Sequence, residues 1–212
     1  MDLFNQIKEE AKIFFLNVKG CHDWDHTERV YSLCMRIGKK ENADLEVLKL
    51  ATILHDIGRE EETKSKGKIC HAERSAILAK KLLEKHGLEE EKIDKIIHCI
   101  ETHRFRGNKK PKSKEAKILF DADNLDSIGA VGVGRAFLFA GEIGAKLHNK
   151  DVDIENTEPY TKEDTAYREF MIKLRKVRDR MLTQEGKRIA EERHEFMIDF
   201  FNRLNKEVDG NL

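Results

Sequence analysis

Three short stretches of the 212-residue chain carry side chains able to hold a divalent cation. His22-Asp23-Trp24-Asp25-His26 precedes Thr27-Glu28-Arg29-Val30, His55-Asp56 follows the apolar Ile53-Leu54, and Asp121-Ala122-Asp123-Asn124-Leu125-Asp126 follows Ile118-Leu119-Phe120. In each, an imidazole or carboxylate abuts a run that must face a core, where an unpaired carboxylate is costly. Brought to one interior point, they would offer two imidazoles and two carboxylates. That donor set suits a hard or borderline divalent ion with water in the open positions. Such an ion neutralises buried carboxylates and lowers the pKa of a bound water. His22 and His26 share a helix face, but the residue after His22 is Asp23, not the Glu that a zincin needs as base. Cys21, Cys70 and Cys99 each adjoin a histidine. Helix neighbours point about 100° apart, so these read as small buried thiols rather than zinc ligands.

The elements that must position these groups are helices. The chain holds only 2 prolines, and apolar residues recur at spacings of three and four nearly throughout. One stripe runs through Phe4, Ile7, Ala11, Phe14 and Val18, ended near Gly20; a second through Val30, Leu33, Cys34 and Ile37, stopped by Gly38 or Lys39-Lys40. A third, Leu45, Leu48, Ala51 and Leu54, reaches His55-Asp56 and closes at Gly58. A fourth, Ile77, Leu78, Leu82 and Leu83, has Gly87 as its C-cap. Ile93, Ile96, Ile97 and Ile100 mark a fifth running to about His103, and a sixth begins at the N-cap Ser113 and carries Ile118, Leu119 and Leu125. Two long helices are expected after Pro159, with stripes Tyr167, Phe170, Met171, Leu174, Val177 and Ile189, Phe196, Met197, Phe200, Leu204. Residues 59–69, 104–114 and 148–164 read as charged loops. The chain reads as one domain over 1–212, its core at about 20–140 and its C-terminal helices at about 160–208 packed on that core, with a homodimer through them as the alternative.

Composition narrows the function classes. Lys+Arg and Asp+Glu both number 40, a formal net charge of zero, which argues against wholesale coating of nucleic acid. No apolar run approaches the ~20 residues of a membrane span, and the N-terminus lacks a basic region followed by an apolar core. The 4 cysteines form no C-x-x-C pair and read as reduced thiols of a cytoplasmic protein.

The ordered set His26, His55-Asp56 and Asp123, with Arg29-Val30 after the first histidine and Ala122-Asp123-Asn124-Leu125 around the last aspartate, resembles the HD superfamily of metal-dependent phosphohydrolases. The surroundings, Leu54-His55-Asp56-Ile57-Gly58 and Asp121 through Gly129, are most similar to small single-domain HD hydrolases of bacteria and archaea, over about residues 20–137. The resemblance implies an all-α fold, a compact HD-domain helical bundle with two additional C-terminal helices. It implies His26, His55, Asp56 and Asp123 as ligands of a divalent ion (Mn, Co, Ni, Mg, Fe or Zn), Asp121 being the rival for the last position. It further implies a second ion bridged by Asp56, for which His71, His103 and His98 are available.

The chemistry that fits is hydrolysis of a phosphate ester or anhydride of a small metabolite, foremost a nucleotide, releasing phosphate or pyrophosphate. Asp56 would orient or deprotonate the attacking water, with Glu60 or the neighbouring Glu61 assisting. Arg29, Arg104, Lys64 and Lys66 are the candidate cations for substrate phosphate, joined by Arg135 because similar HD proteins carry a Gly-rich turn and an Arg there. Gly129 to Arg135 is not a G-x-G-x-x-G element and no strand precedes it, so it does not read as a dinucleotide site; its glycines read as close helix packing or a bend. Two other classes compete. Some proteins with this helical core are di-iron oxygenases, and the basic loop Arg104, Arg106, Lys109, Lys110, Lys112 and Lys114 would serve a nucleic-acid-binding or regulatory module with weak, salt-sensitive contacts.

Overall fold

The computed structural model describes residues 2–18, 20–104 and 109–212. Among the described residues ten α-helices follow in order: α1 (Leu3–Ile13), α2 (Trp24–Glu41), α3 (Leu45–Leu54), α4 (Arg59–Lys64), α5 (His71–Lys85), α6 (Glu90–Thr102), α7 (Lys114–Leu125), α8 (Gly129–Glu142), α9 (Ala166–Ile172) and α10 (Gln184–Val208). No strand occurs among the described residues, and no described helix is long and apolar enough to cross a membrane. The fold is all-α. Its backbone contacts gather into two units, one ending at Asp123 and one from Asn124 to Leu212.

In the first unit, α2 starts where the Asp23 carboxylate accepts the His26 amide (3.1 Å). Its stripe Val30, Leu33, Cys34 and Ile37 is buried as expected. The helix does not stop at Gly38. A Cβ there would stand 2.6 Å from Leu48 Cδ1 and 2.9 Å from Leu45 Cδ2, so Gly38 is the point where α3 lies against α2. The stop is Asn42, in the left-handed region at φ 52°. Lys114 at the head of α7 donates to the terminal carbonyls of Glu41 and Asn42 (2.8 and 3.1 Å), which orphan helix-end acceptors favour.

α3 is capped by Asp44 and buried along most of its length, ending on His55. After Asp56 the chain runs tight against the start of α5: the Gly58 amide donates to Ser75 Oγ (2.9 Å), and a Cβ on Gly58 would lie 2.7 Å from Ser75 N and 2.8 Å from His71 O. That approach brings His71 to Asp56. The buried side of α5 is Ala72, Ala76, Ala79, Leu82 and Leu83, while Ile77 is half exposed; small residues let the neighbouring backbone come close. Residues 59–64, expected as part of a loop, form α4, because acids in the first turn and Lys64 in the last suit a helix with solvent on its outer face.

In the second unit, the glycine-rich stretch is helical. A Cβ on Gly132 would meet Ser127 O at 2.2 Å, so the tight bend leading into α8, rather than packing against another helix, requires glycine there. The first of the two long helices expected after Pro159 is instead α9 followed by the one-turn segments Leu174–Lys176 and Arg178–Arg180. Phe170, Leu174, Val177 and Met181 are all buried. The spacing identified a buried stripe, and a succession of single turns serves it as well as a continuous helix. α10 is the long helix expected, capped by Thr183 and burying Ile189, Ala190, Met197 and Phe201.

Candidate metal centre

The first unit gathers its histidines and aspartates around two adjoining points. His26 Nε2 lies 3.4 Å from His55 Nε2, 3.3 Å from Asp123 Oδ1 and 3.8 Å from Asp56 Oδ2. His55 Nε2 lies 3.8 Å from Asp56 Oδ2 and 4.0 Å from Asp123 Oδ1. These donors come from the first turn of α2, the end of α3 and the last turn of α7. The other oxygen of Asp56 faces away: Oδ1 is 3.4 Å from His71 Nε2 and 3.6 Å from His103 Nε2, and those two nitrogens are 3.2 Å apart. Asp56, fully buried, thus divides its carboxylate between two clusters.

Hydrogen bonds decide which ring nitrogen presents a lone pair. His55 Nδ1 donates to the Thr52 carbonyl (2.6 Å), His103 Nδ1 to the Ile100 carbonyl (2.6 Å), and His71 Nδ1 to the Glu62 carboxylate (2.7 Å). Each partner only accepts, so Nδ1 carries the proton and Nε2 turns its lone pair inward. Burial pushes His55 down to about 4 and lowers His71, so both are neutral at pH 7. Burial works against ionising Asp56 and Asp123. Even so, the Arg59 guanidinium beside Asp56, and the His26 hydrogen bond to Asp123, hold both well below the ordinary carboxylate range. His71 Nε2, His103 Nε2 and Asp56 Oδ1 lie 3.2–3.6 Å from one another, three atoms able to turn lone pairs to one cation. The donor chemistry therefore fits a divalent ion, which this cluster could hold.

The structure distributes the other expected site residues unevenly. Asp123, 21% exposed, faces His26; Asp121, fully buried two residues earlier, belongs to none of the potential ligand groupings among the described residues. His22 Nδ1 stands 3.7 Å from Asp56 Oδ2, at the outer side of the first cluster. Arg29 is half-buried one turn beyond His26. His98 is not brought in: its Nε2 accepts the Lys112 amide (3.0 Å), because five residues along α6 place it on a different face from His103. Glu60 also points elsewhere, pairing with Lys64 (2.8 Å), whose side chain is 70% exposed. Lys66 is exposed on a left-handed turn at φ 54°. Neither lysine joins the cluster. Arg135 belongs to the second unit and pairs with Asp126 (2.7 Å). In the basic loop, Lys109 pairs with Glu101 and Lys114 with α2 carbonyls, so part of its charge is already committed; Arg106 lies outside the described residues.

Two residues at the centre were not foreseen. Arg59 clasps Asp56, with Nη2 3.0 and 2.9 Å from its two oxygens and Nε 3.2 Å from Oδ2. Glu62, 18% exposed, accepts from His71, from Arg59 Nη1 (2.9 Å) and, at its other oxygen, from Arg104 Nη1 (3.1 Å). Residues 56, 59 and 62 stand three apart, a signal only once that segment is known to be helical. Burial opposes the charge on Glu62, yet these donors bring it down to about 2.

The HD domain profile matches residues 23–128. YpgQ of Bacillus subtilis (strain 168) is 35% identical over 210 residues, 97% of this chain and 93% of YpgQ. The crystal structure of Bacillus subtilis YpgQ in complex with ADP matches with a TM-score of 0.75 at 33% identity, covering 98% of both chains. An HD-superfamily hydrolase from Bacillus thuringiensis matches with a TM-score of 0.76 at 25% identity, over 97% of this chain and 96% of its own. With the ordered histidines and aspartates gathered at one centre inside the matched region, the chain belongs to the HD-domain family and has the fold of its hydrolases.

Proposed function

We propose that the protein is a divalent-metal-dependent phosphohydrolase that releases phosphate or pyrophosphate from a nucleotide. The observation that carries this reading is the convergence of His26, His55, Asp56 and Asp123 on one buried point, all recorded separations among their donor atoms being 4.0 Å or less. These four would hold the first ion, and Asp56 Oδ1, His71 and His103 a second. When bound, such ions screen charge on phosphoryl oxygens and activate water for attack at phosphorus. The chain's own residues orient and anchor. Asp56 would orient the attacking water beside the first cluster, and Arg104 and Arg29 would supply positive charge for substrate phosphate. The crystallisation of the relative YpgQ with ADP supports a nucleotide as substrate. Matches running nearly end to end with such relatives support treating residues 1–212 as one functional module.

The test is a release assay on metal-stripped protein reloaded singly with Mn²⁺, Co²⁺, Ni²⁺ or Mg²⁺, over nucleoside mono-, di- and triphosphates, with bound metal measured in each sample. Metal-dependent release of phosphate or pyrophosphate is expected. Loaded protein that releases neither from any of them refutes the reading. Because Asp56 faces two clusters, a di-iron oxygenase is the second reading; two irons per chain with O₂ consumption would favour it.

A further inference from the structure

We propose that Glu62 is the positioning residue that keeps the His71–His103 side of the centre open to a cation, by holding the His71 proton on Nδ1 against the neighbouring Arg104. This rests on the reading of the cluster as a metal centre and concerns only its second half. Two groups compete for His71 Nδ1. The Glu62 carboxylate lies 2.7 Å away and only accepts; Arg104 Nη1 lies 3.4 Å away and only donates. With Glu62 present, Nδ1 is protonated and Nε2 offers its lone pair toward Asp56 Oδ1 and His103 Nε2. Without the carboxylate, the guanidinium is the remaining partner, and it bonds Nδ1 only as a lone pair. The proton then moves to Nε2, where it donates to Asp56 Oδ1 and closes the position to a cation.

The rest of the network makes the effect local. Glu62 also anchors Arg59 Nη1 and Arg104 Nη1, so Asp56, Arg59, Glu62 and His71 form a closed ring of contacts. His103 takes its proton position from the Ile100 carbonyl and His55 from the Thr52 carbonyl, neither of which involves Glu62. Carboxylate partners of metal-binding histidines commonly govern affinity through ring orientation and tautomer. Here His71 has one in Glu62.

Equilibrium dialysis with Mn²⁺, together with electron paramagnetic resonance, tests this without reference to activity. Wild-type protein is expected to bind two equivalents and show the spectrum of a coupled Mn²⁺ pair. Glu62→Ala, which leaves His71 Nδ1 no side-chain acceptor at this position, should keep one equivalent at unchanged affinity, weaken the other about 10–100-fold, and give a single-ion spectrum. Glu62→Gln, whose amide oxygen still accepts from Nδ1, should retain most of the second equivalent. Adding Arg104→Leu to Glu62→Ala removes the competing donor and should restore much of the second equivalent. Arg104→Leu alone should retain both, and thermal melts confirm folding of each variant. The proposal is overturned if Glu62→Ala binds like wild type, if both equivalents weaken together, if the double variant recovers nothing, or if Arg104→Leu alone loses the second equivalent. Wild-type protein binding one equivalent also overturns it, whereas binding none sinks the metal reading itself.

Discussion

Asp123→Asn separates the two aspartates of α7 and measures the metal centre through stability. Asp123 Oδ1 is 3.3 Å from His26 Nε2 and 4.0 Å from His55 Nε2, and the substitution replaces that anionic donor by a neutral amide of the same shape. In metal-free protein the substitution removes a carboxylate that its neighbours hold in the charged form, so the metal-free midpoint falls too and serves as the variant's own reference. The effect lies in the response to metal. At a free concentration 100 times the dissociation constant, binding stabilises the wild-type fold by about 2.7 kcal/mol. For a chain of this size that raises the midpoint by about 5–11 °C. Losing an inner ligand should weaken binding by at least the ~10–100-fold seen for outer partners. At the same metal concentration the gain then falls to about 0.4–1.4 kcal/mol, or about 1–6 °C. Differential scanning calorimetry with and without Mn²⁺ reads both numbers. Asp121→Asn is the control, because it alters a more deeply buried carboxylate outside the ligand grouping and should leave the metal-induced rise intact whatever it does to the metal-free midpoint. A rise abolished by Asp121→Asn and preserved by Asp123→Asn would refute the assignment.

Gly58→Ala should destabilise the first unit by about 1–3 kcal/mol, since its Cβ would press on the backbone of Ser75 and His71, which cannot move as a side chain can; a urea midpoint equal to wild type would contradict this. In the second unit, burial and then the Arg178 charge hold His194 below its ordinary 6.5. The unfolded chain therefore binds a proton there that the folded chain refuses, so this contribution is full above about pH 6.5 and is lost as pH falls below it. His194→Gln should flatten the decline in denaturation midpoint between about pH 7.5 and 5.5; an unchanged slope would rule His194 out as a contributor.

The helical class and most core stripes were legible because burial imposes a period of three and four on apolar residues, as in Val30, Leu33, Cys34 and Ile37. Reasons for individual glycines were less legible. Gly38 and Gly58 look like stops in one dimension, and only the neighbouring helix shows them to be contacts. Segment 59–64 misled for a similar cause: a run of charges reads equally well as loop or as the outer face of a short helix, and with it went Arg59 and Glu62.

The sequence alone determined which side chains could make a cation site, since His26, His55-Asp56 and Asp123 are donor types set against core-facing runs, where carboxylates need a partner. Tertiary structure decided how they are used. That Asp56 splits its oxygens between two clusters, that Asp123 faces them while Asp121 does not, and that Glu62 rather than Glu60 reaches His71 all depend on side-chain directions a few ångströms apart. Those directions follow from how the helices from α2 to α7 pack, which local spacing does not encode.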